Sequence, residues 1–446
     1  MKSRLIILVV AVFAISLLIG CTDTELQGTS PSPDASTDTG SDTFDSDINT
    51  TIDTIPPPIA TDTDPTDTDT DSEEKEVTKQ EDFTTIIASS DSRWWDRGVQ
   101  YPRMLVISHS KAGQNGTFLA TFEQLSAGLE SYRPGYPIYR STDNGKSWKK
   151  VTFVSDNDLT MQSEWNPMLY ELSRPCGSFD AGTILLAGCS IDPAHSKSSS
   201  IVIYASTDSG ASFKKVTTVA YGGGLENGVW EPFLLQLDDG RLVCYYSDDS
   251  TGPQSQKIVY KVSDDVINFG KANDVVASGV LNERPGMAVI TRLGNGSYFM
   301  VYEVVDHRSI GANPIFFRTS QDGLDWGDET DIGTELVSTD QKALGSAPYC
   351  AWTPLGSKDG TIVVSGTFMR QGSSMTGSDI FISRDLGKTW TTAEHPIPYD
   401  ASVSHCGYSN CIIFSSDGTR LYSLKNPVVT GLSGRSEIVF ASKEWE

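Results

Sequence analysis

Short apolar runs alternate with turn residues along most of the chain, and almost no stretch has helical periodicity. Residues 233–237 and 242–246 show the repeating unit. They flank Asp238-Asp239-Gly240, where the Asp-Gly step tolerates the positive φ of a tight hairpin turn. Runs of this length, separated by such turns, predict an all-β protein built from many short strands.

A short motif recurs between these runs. Three octapeptides with the pattern Ser-x-Asp-x-Gly-x-x-aromatic begin at Ser141, Ser206 and Ser383; a variant begins at Thr319 and a degenerate copy at Ser263. This is the pattern of the Asp-box, or BNR, repeat of sialidase-like proteins. In such a turn the Asp accepts backbone hydrogen bonds, the Gly supplies positive φ, and the aromatic residue packs back between strands.

The motifs begin 56 to 65 residues apart, which fits a four-stranded antiparallel blade with its loops. Residues 82–446 at this period predict a six-bladed β-propeller. We place its blades near residues 101–155, 165–220, 230–280, 284–330, 346–395 and 405–441. Because the last blade has only three evident strands, we expect residues 84–89 to supply its outermost strand and to close the ring.

The N-terminal residues predict export. Residues 1–20 combine a basic start at Lys2 and Arg4 with an apolar run over 5–19, as a signal peptide does. The run ends in Leu-Ile-Gly before Cys21, which resembles the lipobox of bacterial lipoproteins and implies lipidation of Cys21. The alternative is an ordinary secretory signal followed by a chance cysteine. We expect a cell-surface protein that a lipid anchor holds to the bacterial membrane.

Residues 21–80 have the composition of a disordered tether. They are rich in Asp and Thr, and residues 22–80 hold 16 acidic residues against two Lys, with few large apolar groups to bury. Much of the chain's net charge of −24 therefore belongs to this segment. The acidity excludes nucleic acid as the expected partner and says little about the propeller's site.

No pattern indicates a cofactor or a metal. The five His lack ligand spacing, and no Cys-x-x-Cys pair or phosphate-binding loop occurs, so we predict neither. Cys176 and Cys189 are consistent either with a disulfide across a hairpin or with buried free thiols. We expect a monomer whose partner is a saccharide.

The predicted strand order gathers polar and aromatic residues at one end of the ring. We call this end the near face: there the first strand of each blade begins and its second strand ends. The Asp-box turns lie at the opposite, far face. Aromatic rings stack on sugars while acids and Arg bind hydroxyls, so the near face predicts a carbohydrate site. Its predicted substrate contacts are Trp165, Asn166, Trp230, Arg284, Arg103 and Tyr408.

Among these contacts, we favour a functional role for Trp165 and Arg284, and leave Arg103 and Tyr408 open between binding and packing. Two acids are the candidate catalytic residues. Glu231 opens blade three between Trp230 and Pro232, and Glu303 ends the second strand of blade four within an apolar run. Burial disfavours the charged carboxylate, as a general acid requires, and a nearby second carboxylate can then act as a nucleophile. The alternatives are a salt bridge from Glu231 to Arg284 and a backbone hydrogen bond for Glu303.

Three stretches resemble the exo-α-1,5-L-arabinanases of glycoside hydrolase family 93: 165–191, 228–249 and 283–305. The resemblance extends over residues 82–446. It implies a retaining hydrolase that uses two glutamates and releases arabinobiose from the non-reducing end of linear arabinan. It matches the pair to Glu231 and Glu303 and suggests Glu231 as nucleophile and Glu303 as acid/base, although the residues leave this order open.

Two other functions fit parts of the pattern. A sialidase shares the Asp-boxes and the ring, but it needs three near-face arginines, and the start of blade five supplies none. A surface propeller that binds carbohydrate without cleaving it is the second alternative. Incubation with linear arabinan, with sialyllactose and with buffer separates the three.

Overall fold

The computed structural model describes residues 83–88, 99–124, 135–156, 163–192, 198–311, 313–372, 374–377, 379–398, 408–426 and 437–446. The predicted signal sequence, Cys21 and the tether lie outside the described residues. The regular secondary structure in the described ranges consists entirely of β-strands. No helix long and apolar enough to cross a membrane occurs in these ranges.

Six antiparallel sheets of four strands each form the blades. Blade one contains β2 (Val99–Val106), β3 (Phe118–Gln124), β4 (Tyr136–Ser141) and β5 (Lys149–Val154); blade two contains β6 (Ser163–Glu171), β7 (Ile184–Ile191), β8 (Ser199–Ser206) and β9 (Lys214–Gly222); blade three contains β10 (Val229–Gln236), β11 (Leu242–Asp248), β12 (Lys257–Ser263) and β13 (Asn273–Val276).

The second half of the ring repeats the arrangement. Blade four contains β14 (Arg284–Arg292), β15 (Tyr298–Val305), β16 (Ile315–Ser320) and β17 (Thr334–Glu335); blade five contains β19 (Tyr349–Thr353), β20 (Thr361–Ser365), β23 (Asp379–Ser383) and β24 (Thr391–Glu394); blade six contains β25 (Cys411–Phe414), β26 (Arg420–Lys425), β27 (Glu437–Glu444) and β1 (Thr84–Ala88).

The inner strands close a ring. β2, β6, β10, β14, β19 and β25 each contact the next, and β25 contacts β2. The prediction of a six-bladed propeller is therefore confirmed. Blade six has the order β25-β26-β27-β1, with Thr84 opposite Phe440 and Ala88 opposite Glu437. The first strand of the propeller thus completes its last blade, as the sequence predicts.

Stacking of the blades explains the apolar strands. The second and third strands of a blade have neighbouring blades on both faces, so they carry continuous apolar runs. β7, β8 and β11 are buried along their whole length. The runs that the sequence shows as unbroken rather than alternating are therefore the middle strands of blades.

The turns at the Asp-box motifs share one set of contacts. In the first, the Ser141 hydroxyl donates to Asp143 and accepts from the Gly145 N–H, while Asp143 Oδ1 accepts from the Ser147 N–H. The turns at Ser206 and Ser383 repeat this network. The aromatic residue of a turn packs on the preceding blade. For example, the ring of Trp148 in blade one lies against that of Phe440 in blade six, with centroids 5.6 Å apart.

A seventh sheet, which the sequence did not predict, accompanies blade five. β18 (Lys342–Gly345), β21 (Phe368–Gln371) and β22 (Ser374–Thr376) form three antiparallel strands. β18 precedes the inner strand β19, and β21 follows the second strand β20, so this small sheet extends from the near face.

Candidate active site

The inner strands begin with a shared distortion. In blades one to four a β-bulge interrupts the pairing with the second strand, between Gln100 and Arg103, Trp165 and Met168, Trp230 and Phe233, and Gly286 and Val289. Near every strand start a residue has positive φ: Tyr101 (53°), Asn166 (51°), Glu231 (60°), Met287 (57°), Ala347 (45°) and Ser409 (53°). In blade five Ser346 (60°) has it as well. Positive φ is uncommon outside glycine and often accompanies functional sites.

The bulges meet on the ring axis. Tyr101 of blade one, Met287 of blade four and Ala347 of blade five form one apolar cluster, against which Tyr408 of blade six packs. Blades one and four are opposite each other in a ring of six, so their side chains can touch only near its axis. Tyr408 therefore belongs to the apolar floor of the near face, with its ring 6.2 Å from that of Tyr101.

Arg103 lies within this floor. Its guanidinium stacks over the rings of Tyr101 at 3.9 Å and Tyr349 at 5.1 Å. It donates to the backbone oxygens of Pro102 and Ser409 and to the Ser409 hydroxyl, and the residue is buried. Of the two roles left open for Arg103, packing within the floor fits these contacts better than direct contact with a ligand.

A second set of positions lies at the ends of the second strands. There a polar side chain contacts the backbone N–H of the positive-φ residue in the next blade. The Asn166 N–H donates to Glu123 at 2.7 Å, and the Ala347 N–H donates to Glu303 at 2.9 Å. Glu123 and Glu303 thus occupy equivalent places in opposite blades.

The two carboxyls differ in what else they contact. Oε1 of Glu123 also accepts from Nδ2 of Asn166 at 3.2 Å, and Oε2 accepts from Gln100 at 2.8 Å. Both of its oxygens are therefore engaged, and Glu123 orients the side-chain amide of Asn166. In Glu303, the oxygen that accepts the hydrogen bond from the Ala347 N–H is Oε2.

Glu231 comes from the bulge of blade three and reaches blade four. Its Oε2 accepts from the Ser247 hydroxyl at 2.7 Å and from the Met287 N–H at 2.9 Å. A Cβ on Gly286 would lie 3.2 Å from that oxygen and 2.1 Å from Nε2 of Gln256. Gly286 pairs directly with Glu303 in the sheet. The absence of a side chain at Gly286 therefore lets Glu231 approach the strand pair that carries Glu303.

Burial and proximity set the protonation of the pair. Burial raises the pKa of Glu231 to about 7, and the charge of Glu303 adds to the rise. Burial also raises the pKa of Glu303, against a hydrogen bond from Ala347 and the charge of Arg284. Burial and mutual repulsion thus both disfavour ionisation of the two carboxyls at the same time.

Arg284 and two tryptophans flank the pair. The guanidinium of Arg284 donates to Asp249 at 2.9 Å and to Gln256 at 2.7 Å. Its ion-pair partner is thus Asp249 rather than Glu231. Trp230 also donates to Asp249, at 3.2 Å, and stacks on Trp165 with ring centroids 6.1 Å apart. Trp165 and Arg284 are partly exposed, so both can meet a ligand.

The structure thus brings together most of the predicted residues. Glu231, Glu303, Arg284, Trp230 and Trp165 share the near face around the axis. Asn166 lies in the same ring of positive-φ residues, and Arg103 and Tyr408 form the floor. Asp248 instead caps its own loop through Ser250 and Thr251.

Sequence reasoning missed the residues that hold this set in place. They are Ser247, Asp249, Gln256, Gly286 and Met287. One signal was available: a proline follows the positive-φ residue in four blades, at positions 102, 167, 232 and 348. This recurring residue–Pro pair marks the bulges, and Glu231 is one of its members.

Other chemistry has little support within the described ranges. No group of three His, Cys, Asp or Glu side chains there is placed to hold a metal ion. Cys176 and Cys189 are buried free thiols and do not form the disulfide that was the alternative prediction. Cys189 Sγ donates to the Val229 backbone oxygen at 3.4 Å.

A six-bladed propeller whose axis ends in paired carboxyls, an arginine and stacked tryptophans belongs to the class of carbohydrate-active propellers. The α-L-arabinanase of Penicillium chrysogenum, solved with arabinobiose, is 32% identical, with a TM-score of 0.68 over 81% of this chain and 97% of that one. The GH93 α-L-arabinofuranosidase of Fusarium graminearum, also with arabinobiose, is 29% identical, with a TM-score of 0.66 over 80% and 98%.

The chain belongs to glycoside hydrolase family 93, and the arabinanase and arabinofuranosidase above are among its relatives of known structure. A sialidase of Streptococcus pneumoniae, 11% identical with a TM-score of 0.51 over 81% of this chain and 70% of that one, shares the fold alone. No family sequence model matches the chain. No curated protein sequence matches it either.

Proposed function

We propose that this protein is an exo-acting glycoside hydrolase that releases arabinobiose from linear α-1,5-L-arabinan. The observation that carries the proposal is the 32% identity with an arabinobiose-bound arabinanase across 97% of that enzyme's chain. Trp165 is partly exposed and stacks on the buried Trp230, so it offers a flat apolar face to a sugar. Arg284 and Asn166 offer groups that hydrogen-bond hydroxyls.

Glu231 and Glu303 form the catalytic pair of this proposal, and the reaction is a double displacement. One carboxylate attacks the anomeric carbon while the other carboxyl gives its proton to the glycosidic oxygen, which leaves with the shortened arabinan. The second group, now ionised, then takes a proton from water. That water attacks the glycosyl-enzyme ester, frees the first carboxylate and yields a product of retained configuration.

The surroundings of the two glutamates favour one order. The acid must hold a proton and admit water from the leaving-group side. Burial raises the pKa of both carboxyls, that of Glu231 to about 7, so exposure distinguishes them: Glu231 is half-buried, whereas Glu303 is 4% exposed. We therefore assign Glu231 as acid/base and Glu303 as nucleophile, the reverse of the order that the family resemblance suggested.

The substrate assignment is tested on the purified protein with linear arabinan, sialyllactose and buffer. We expect arabinobiose as the first product from arabinan and no sialic acid. Release of sialic acid would instead support a sialidase. Binding to arabinan without any product would support a non-catalytic propeller.

The catalytic pair is tested by azide rescue with an aryl arabinobioside that has a good leaving group. Glu231→Ala should regain activity with azide and yield the azide of retained configuration. Glu303→Ala should yield no product of retained configuration. Near-wild-type activity in both variants would remove the pair, and the opposite pattern would reverse the order.

The N-terminal residues carry a separate part of the proposal: export, and lipidation at Cys21. The basic start, the apolar run and the Leu-Ile-Gly-Cys sequence support it. Expressed in bacteria, the wild-type chain should partition into the detergent phase of a Triton X-114 extract. Cys21→Ala should stay in the aqueous phase. Equal partitioning of the two would exclude the anchor.

A further inference from the structure

Asp249 connects two strands of the candidate site through one carboxylate oxygen. The residue directly follows β11, and its side chain is fully buried. Oδ2 accepts from Arg284 at 2.9 Å and from the indole N–H of Trp230 at 3.2 Å. Oδ1 is buried without a hydrogen-bond partner in the described part of the chain. A buried carboxylate in this state is costly unless its charge is paired.

The two partners of Asp249 adjoin the catalytic pair. Trp230 directly precedes Glu231 on β10. Arg284 lies two residues before Gly286 on β14, and Gly286 faces both Glu231 and Glu303. A shift of Asp249 would therefore move the start of β10 and the start of β14 together.

We propose that Asp249 is a positioning residue of this site: it holds Trp230 and Arg284 in place and offsets the charge of Arg284 beside the two glutamates. The proposal rests on the proposed glycosidase function and deepens it. Nothing in it requires Asp249 to touch the substrate.

The charges around Asp249 give the proposal a direction. Arg284 faces it from β14, Glu231 from β10 and Asp248 from β11, and Glu303 lies beyond Arg284 on β15. The charge of Arg284 lowers the pKa of both glutamates. Burial raises the pKa of Asp249 to about 7, so this carboxyl ionises over the same pH range as Glu231, and once ionised it opposes the effect of Arg284. When it is neutralised, Glu231 should lose its proton at lower pH.

The test compares Asp249→Asn with Asp248→Asn. Both substitutions turn a buried carboxylate into an amide at adjacent positions, but Asp248 contacts Ser250 and Thr251 instead of the site. In Asp249→Asn we expect kcat/KM on arabinan to fall on the order of tenfold to a hundredfold. The basic limb of its pH profile should move down by about one unit. Asp248→Asn should change neither.

A second readout does not depend on activity. In protein labelled with 13C at the side-chain carboxyls of Glu, the titration of Glu231 should move to lower pH in Asp249→Asn and stay in place in Asp248→Asn. Unchanged titration and pH profile in Asp249→Asn, or the same changes in both variants, would overturn the proposal. If the wild-type protein cleaves no arabinan, the proposed function fails, and the carboxyl titration still decides whether Asp249 controls the pair.

Discussion

Glu231 owes its position to its backbone as much as to its side chain. A positive φ of 60° at this residue costs on the order of 1–3 kcal/mol in a non-glycine residue. The same conformation recurs at Asn166 and Met287 in the neighbouring blades. N–H groups at these positions donate to polar side chains near the ends of second strands, as Met287 does to Ser247 at 3.2 Å. These contacts between blades offset the local cost and fix the direction of each bulge.

Gly286 provides the space that Glu231 occupies, and this gives a first prediction. In Gly286→Ala the new Cβ would lie 2.1 Å from Gln256 Nε2 and 3.2 Å from Glu231 Oε2, so both side chains must move. Because Gln256 holds Arg284, the pair and its cation are displaced together. We expect kcat/KM on arabinan to fall at least about tenfold. Steady-state kinetics measures the loss.

A matched glycine serves as its control. Gly279 lies just before the same strand, and a Cβ there would have nothing within 4 Å. Gly279→Ala should keep wild-type activity, and both variants should melt within a few degrees of the wild type. Full activity in Gly286→Ala would show that the site tolerates displacement of Gln256 and Glu231, and would contradict the prediction.

The pH dependence of kcat/KM is the second prediction at this scale. The basic limb reports loss of the proton from the acid of the free enzyme. Since burial raises the pKa of Glu231 to about 7, activity on arabinan should halve near pH 7 and decline above it. Initial rates between pH 4 and 9 measure the limb. A profile that stays flat to pH 9 would contradict the assignment of Glu231 as the acid.

At the scale of elements, the closing strand yields a third prediction. β1 covers the outer edge of β27, from Thr84 opposite Phe440 to Ala88 opposite Glu437. Without it the N–H and C=O groups of that edge lose their partners and become open to pairing with other chains. A chain that begins at residue 95 should therefore unfold at a lower temperature than one that begins at 82, and should aggregate sooner. Calorimetry and light scattering measure the two effects.

Addition of the missing strand provides the control. A synthetic peptide of residues 82–90 should raise the melting temperature of the shorter chain, because an extended peptide can add to an exposed sheet edge. A peptide of the same composition in scrambled order should not. Equal stability of the two chains would mean that β1 contributes little to closure.

The blades can be predicted from the sequence, whereas the small seventh sheet and the bulges cannot. Repeats about 60 residues apart and short apolar runs suffice for six blades, and three strands at the end of the chain suffice to expect a fourth from its start. The sheet of β18, β21 and β22 escaped prediction because its strands are three or four residues long and pair across an intervening hairpin. The bulges escaped because they depend on register between strands, which composition does not show.

The whole ring explains why the site could be predicted only in part. Strand polarity places Glu231 and Glu303 at one face, and the sequence contains that polarity through its hairpins. The roles of Glu123 and Glu303 are separated by their surroundings: Gln100 of the same blade and Asn166 of the next blade engage both oxygens of Glu123. Such contacts arise from how blades stack. The pattern within single strands therefore predicts the acidic residues, but it does not predict the contacts that give Glu123 and Glu303 different roles.

Buried carboxyls also govern the stability of the whole domain, which gives the last prediction. Glu164 is 3% exposed with one oxygen lacking a hydrogen-bond partner in the described part of the chain, and burial raises its pKa to about 8. Its folded pKa exceeds the unfolded value near 4.5. Its contribution to stability is therefore complete below pH 4.5 and is lost as pH rises toward 8.

Glu164→Gln cannot ionise, so its free energy of unfolding should decline less than that of the wild type between pH 5 and 8.5. The difference should reach at most about 4 kcal/mol, since each unit of pKa corresponds to about 1.4 kcal/mol. Urea unfolding at several pH values measures it. Glu226→Gln, a change at an exposed carboxyl, should follow the wild-type curve. Parallel curves for all three proteins would show that Glu164 ionises in the folded protein as readily as in the unfolded chain, and that water reaches it between blades one and two.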